Sequence, residues 1–143
     1  MQTTFYSRKM SGPFATVLQT ITETLKKEGF TSVMNMNICD AIKSSLNVKF
    51  RNYSILTAFN PEIAYKMISL ESHMGLVVPC NVVVQEHENG EVEVTALSPV
   101  DSIDNNASTA LLNSIANELK GNLIAALDDL YRDAVEADTI NAR

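Results

Sequence analysis

Cys80 stands between Pro79 and Asn81 at the head of a strongly β-prone run that continues to His87, and it is the residue best placed to do chemistry. A cysteine at the start of a strand can face a crevice, where a helix N-terminus or a cation would stabilise its thiolate as a nucleophile or sulfur acceptor. Asn60-Pro61 could supply that N-terminus: asparagine is a good N-cap, proline a good first helical residue, and the free amides of such a turn hold small anions. Asn60, Pro61, Pro79, Cys80 and Asn81 are therefore the candidate ligand-binding residues, with Cys80 the candidate nucleophile and Asn81 a polar positioner. Free cysteine is also among the most buried residue types, so the simpler reading of Cys80 as a small apolar core residue comes first.

A second group follows from Asn89-Gly90, a strong hairpin signal. If these are the two loop residues, Glu88 faces Glu91 and Glu86 faces Glu93, all on one sheet face with Cys80, Val82, Val84 and Leu97. Facing carboxylates could form a weak divalent-cation site or a landing place for Lys43, Lys49 and Arg51. A solvated hairpin tip is the simpler reading, because exposed carboxylates splay apart at little cost. The same register puts His87, Gln85, Val83 and Asn81 beside Val92 and Val94, with His73 in a loop. No pair among the histidines and cysteines has ligand spacing on one element, so no metal or other cofactor is expected. Met34 and Met36 read as core filler. Neither a Gly-x-Ser-x-Gly elbow nor a His-Glu-x-x-His helix is present, and catalysis ranks below binding.

The elements that must position these residues show in the hydrophobic periodicity. Residues 3–10 alternate as a strand, and Ser11-Gly12-Pro13 opens a helix whose stripe is Phe14, Val17, Leu18, Ile21 and Leu25, with Gly29 placed to end it. Residues 31–38 alternate again, Asp40 to Leu46 forms a short helix ending at Asn47, and Tyr53–Phe59 is a third strand. A second main helix runs from Pro61 to about Ser72, burying Ile63, Ala64, Met67 and Ile68. Strands Cys80–His87 and Glu91–Leu97 pair antiparallel. After Ser98-Pro99 and a polar link over Asp101–Asn106, Leu111, Leu112, Ile115, Leu119, Leu123, Leu127 and Leu130 mark a helix of roughly 40 Å. Gly121 inside it suggests a bend or a close approach. The tail is acidic and expected to fray from about residue 132. The order β-α-β-(α)-β-α-β-β-α indicates a single α+β domain over residues 1–143, with a mainly antiparallel curved sheet of about five strands and helices on one face.

Totals exclude whole classes. With 143 residues and 45% apolar content the chain builds one core without disulfide or metal staples. Its apolar runs fall far short of the ~20 residues a membrane helix needs. The N-terminus lacks the apolar core of a secretory signal, which leads to a cytoplasmic expectation with Cys39 and Cys80 as free thiols. Net charge is −6 but lopsided: up to Lys66 there are eight Lys/Arg against four Asp/Glu, and from Met67 onward three against thirteen. Oppositely charged halves packing side by side is the plain reading, and self-association the sharper one. Nucleic acid is excluded because no coherent basic face with stacking aromatics exists.

The residues assembled here resemble domain-of-unknown-function family 302 of bacteria and archaea. The likeness runs over Glu28-Gly29-Phe30, Ile38 with Asp40, Asn47-Val48, Tyr53-Ser54-Ile55 with Asn60-Pro61, and most specifically Gly75-Leu76-Val77-Val78-Pro79-Cys80-Asn81-Val82-Val83-Val84. It implies a compact α+β domain with a curved antiparallel sheet, a homodimer, and no established chemistry. Members often carry a cysteine just before the Asn-Pro pair, where this chain has Phe59, whereas Cys80 matches the family's Pro-Cys position. The first expectation is a non-enzymatic, homodimeric cytoplasmic domain with a crevice for a small anionic ligand or a partner segment. A thiol-dependent enzyme or sulfur carrier using Cys80 is the alternative, and assembly through Leu119 and Leu123 of the last helix is a third.

Overall fold

The computed structural model describes residues 5–97 and the backbone of 110–141, with side chains in the second stretch as far as Glu136. Thr3, Thr4, the Ser98-Pro99 turn and the Asp101–Asn106 link lie outside the described residues. The chain forms β1 (Phe5–Ser11), α1 (Phe14–Lys27), β2 (Ser32–Asn37), α2 (Ile38–Leu46), β3 (Tyr53–Phe59), α3 (Pro61–Leu70), a 3-10 turn (Ser72–Leu76), β4 (Cys80–Glu86), β5 (Glu91–Leu97) and α4 (Ala110–Asn141). The strands make one five-stranded sheet in the order β1-β5-β4-β3-β2, and every neighbouring pair is antiparallel. The architecture is the expected α+β.

Helix α1 shows how local sequence sets these elements. Val17, Ile21 and Leu25 fall on one stripe and are buried. Gly29 then takes φ 97°, and the chain closes the helix with Phe30 N–H donating to the Leu25 carbonyl at 3.1 Å and Gly29 N–H to Lys26 at 3.2 Å. This is the glycine-ended Schellman pattern, which satisfies carbonyls that the helix leaves open. Phe30, carried inward by that turn, is fully buried.

Alternate strand residues Leu56, Ala58, Val82, Val84, Val94 and Ala96 point into the core, each large one contributing roughly 1.5–3 kcal/mol by leaving water. They meet Val17 and Ile21 of α1, Ile63 and Met67 of α3, and Leu119, Leu123, Leu127 and Leu130 of α4. The opposite sheet face, with Ile55, Thr57, Val83 and Thr95, stays half-buried. The charge halves do meet: Arg8 Nη2 lies 2.7 Å from Asp128 Oδ1, and Lys9 is paired in register with Glu93.

Several expectations are corrected. The β4–β5 hairpin pairs Glu86 with Val92 and Gln85 with Glu93, and His87 N–H donates to the Glu91 carbonyl at 2.8 Å, leaving a three-residue loop, Glu88-Asn89-Gly90. Only Gly90 of that loop takes positive φ, 85°, whereas a two-residue type I′ loop requires it at both central positions. The one-residue difference turns every β5 side chain to the other face. Met34 and Met36 are not core filler, being 69% and 59% exposed on edge strand β2. Gly121 marks no close approach: it is exposed in an unbroken α4, and an added Cβ would meet nothing within 4 Å. Ile68, expected inward, is 41% exposed. Helix α4 spans Ala110–Asn141.

Candidate functional site

Cys80 opens β4 directly opposite Ala58 of β3. Its side chain points into the core, where it is 6% exposed. Burial alone pushes the thiol up to about 12, because an apolar interior destabilises the thiolate. At neutral pH this sulfur keeps its proton, the reverse of what a nucleophile or metal-binding thiolate needs.

Asn60 follows β3 directly, two residues beyond Ala58, so the Asn60-Pro61 turn leaves the strand that pairs with β4 at Cys80. The turn has little left to offer an anion. Asn60 Oδ1 accepts from Ile63 N–H at 3.1 Å, the Asn60 carbonyl accepts from Ala64 N–H at 2.9 Å, and Pro61 has no N–H. Asn60 is itself buried, and its Nδ2 lies 3.0 Å from where a Cβ on Gly29 would sit. The Asn60 side chain therefore packs close against the turn that ends α1. Pro61, Pro79 and Asn81 remain exposed, with Asn81 on the outer face opposite Thr57.

The four glutamates do not converge. Glu86 lies on the core-side parity of β4 and accepts from Asn52 Nδ2 at 3.3 Å, while Glu93 lies on the outer face with its Oε1 2.9 Å from His87 Nε2. Glu91 accepts from Asn89 Nδ2 at 3.0 Å, and Glu88 is exposed at the tip. Among the described residues no three His, Cys, Asp or Glu side chains come together to hold a metal ion. Of the basic residues expected against them, Arg51 reaches Gln85 Oε1 at 3.2 Å and stacks over Phe50 at 4.5 Å. His73 pairs with Glu71 at 2.7 Å in the 3-10 turn, and Cys39 donates its thiol to the Phe50 carbonyl at 3.3 Å.

An open groove among the described residues lies elsewhere. Between β1 and the C-terminal part of α4, a cavity of about 800 Å³ is lined by Ser7, Arg8, Lys9, Asp128, Tyr131, Arg132, Val135 and Glu136. It adjoins a smaller one of about 330 Å³ that reaches Met10, Ser11 and Glu91. Strand β1 presents its charged side chains to the groove because it is an edge strand, and α4 presents Asp128, Tyr131, Arg132 and Val135 because they stand at i, i+3, i+4 and i+7, one helix face. Arg8 is fixed by Asp128, whose Oδ1 accepts from both Nε at 3.1 Å and Nη2 at 2.7 Å. Sequence reasoning missed this site. Its signal is the helical stripe Asp128, Tyr131, Arg132 and Val135, which runs into the acidic tail.

Fold and site together define a small α+β domain with an open antiparallel sheet and a charged groove. The chain belongs to the family described as Domain of unknown function DUF302, which matches residues 6–130. It is similar in fold to the crystal structure of an uncharacterized conserved DUF302 protein from Bacillus stearothermophilus: the two are 23% identical with a TM-score of 0.73, over 87% of this chain and 95% of that one. Comparison with curated proteins returns no match. No helix among the described residues is long and apolar enough to cross a membrane.

Proposed function

We propose that this protein is a non-enzymatic binding domain that works as a homodimer in the cytoplasm and takes a small anionic ligand in the groove between β1 and α4. The groove carries the reading. Its size is that of a small-molecule site, and its lining sets Arg8, Lys9 and Arg132 against Asp128 and Glu136, so cations outnumber acids. Tyr131 and Val135 add apolar surface to pack a ligand's body. The homodimer is supported by the β2–α2 segment, where Leu46 and Val48 are 68% and 50% exposed, Met34 and Met36 are exposed as well, and α2 buries no residue of its own. Two free cysteines support a reducing address.

The test is thermal unfolding at constant ionic strength with inorganic phosphate, citrate and a panel of small carboxylates. A ligand at a hundred times its Kd adds about 2.7 kcal/mol to stability, which a chain of this size shows as a rise of several degrees. The rise should vanish in Lys9→Ala/Arg132→Ala, whose side chains are surface groups. A flat panel, or a rise that survives the double substitution, overturns the groove reading.

A further inference from the structure

We infer that β2 is a dimer-forming edge, pairing antiparallel with β2 of a second copy across a two-fold axis to join two sheets into one of ten strands. This rests on the homodimer reading above and supplies its geometry. Strand β2 is an edge of the sheet, and every residue along it except Val33 is exposed. Edge strands that stay single are defended by charge, proline or a bulge. Strand β1 is so defended, carrying Arg8 and Lys9 with Pro13 just beyond, whereas Ser-Val-Met-Asn-Met-Asn of β2 has none of these.

Charge selects the partner. An isologous contact sets each residue near its own copy, so β1 against β1 would oppose like charges, whereas residues 32–45 contain only Asp40 and Lys43 and are neutral as a set. Pairing across the axis must keep Met34 and Met36 on the same face in both copies, and the register centred on Asn35 does so. It places each Met34 opposite the partner's Met36, and Asn35 opposite its own copy. Cross-strand apolar pairs of this kind are what stabilise a ladder. Fifteen residues between Thr31 and Lys49 are exposed, a large part of the ~20–30 a side that a stable interface uses.

Sedimentation over a range of concentrations and thiol cross-linking test the proposal together. The expected result is a dimer mass for the native chain, and its loss in Met34→Lys/Met36→Lys with far-UV circular dichroism unchanged. In a Cys39→Ser background, Asn35→Cys should cross-link on mild oxidation, since opposed β-carbons lie roughly 5 Å apart. Ser32→Cys should not, its two copies being displaced by six residues, roughly 20 Å along the strand. A dimer that survives the lysine pair, with no link at residue 35, overturns edge pairing and leaves the homodimer standing. A monomer at every concentration overturns both. A ladder of higher oligomers overturns the two-fold in favour of head-to-tail β1–β2 pairing.

Discussion

Cys80 offers the most direct check on the reasoning, because its burial fixes both a rate and a stability slope. With the thiol pushed up to about 12, the thiolate fraction at pH 8 is roughly two-thousandfold below that of an ordinary cysteine near 8.5. Iodoacetamide modification, quantified by peptide mass across pH 5–10, should therefore leave Cys80 nearly unmodified under conditions that label the half-buried Cys39, and show no Cys80 midpoint in that range. The same shift acts on folding. Below about 8.5 both states of the chain hold this proton and the residue contributes no pH dependence. Between there and about 12 the unfolded chain releases it while the folded chain keeps it, so stability falls with rising pH at about 1.4 kcal/mol per unit. From pH 8 to 10 the native chain should lose about 2 kcal/mol more than Cys80→Ala in urea unfolding, other titrating groups cancelling in the comparison. A Cys80 midpoint well below 8.5, or equal pH slopes in the two chains, would refute the buried-thiol reading and restore the nucleophile.

Two further substitutions separate structural roles from functional ones. Asn60→Ala removes a buried cap and should lower stability by about 1–2 kcal/mol, seen as a melting temperature lower by several degrees, while Asn60→Asp keeps the acceptor for Ile63 and recovers part of the loss; an unchanged melting temperature in Asn60→Ala would show that the cap does not matter. Gly121→Ala should raise stability by about 1 kcal/mol in chemical denaturation, since the site is exposed and open around its Cβ position, and a loss would reveal a contact at that face of α4.

Helix positions were legible because a single stripe decides them. Val17, Ile21 and Leu25 identify the buried face of α1, and Asn60-Pro61 marks the start of α3 with its cap already named. The hairpin was legible in existence and not in register, since Asn89-Gly90 is compatible with either loop length. The conformation of Asn89 decides between them, and it is set by how β4 and β5 twist together. Met34 and Met36 show the limit of alternation: a period of two says that the faces of a strand differ, but which face the helices cover depends on the whole sheet. Leu119 and Leu123, read as a possible assembly surface, are fully buried against the rest of the domain, because α4 packs on α1 and β1. The groove was hidden for the same reason, its two walls being 120 residues apart.

The polar side chains that most resembled a site are held by internal partners in this fold. Asn60 caps α3, Glu93 holds His87, Arg8 and Asp128 hold each other, and Cys80 packs beneath the sheet as a protonated thiol. A catalytic centre needs groups left poised, with a nucleophile or base free to exchange a proton with a substrate. What this chain leaves open is of another kind: a charged groove flanked by an aromatic ring, and a neutral strand edge with exposed methionines. Both features are what the proposed binding role would use. The residues to vary in search of function are accordingly Lys9, Arg132 and Met34, ahead of the cysteine.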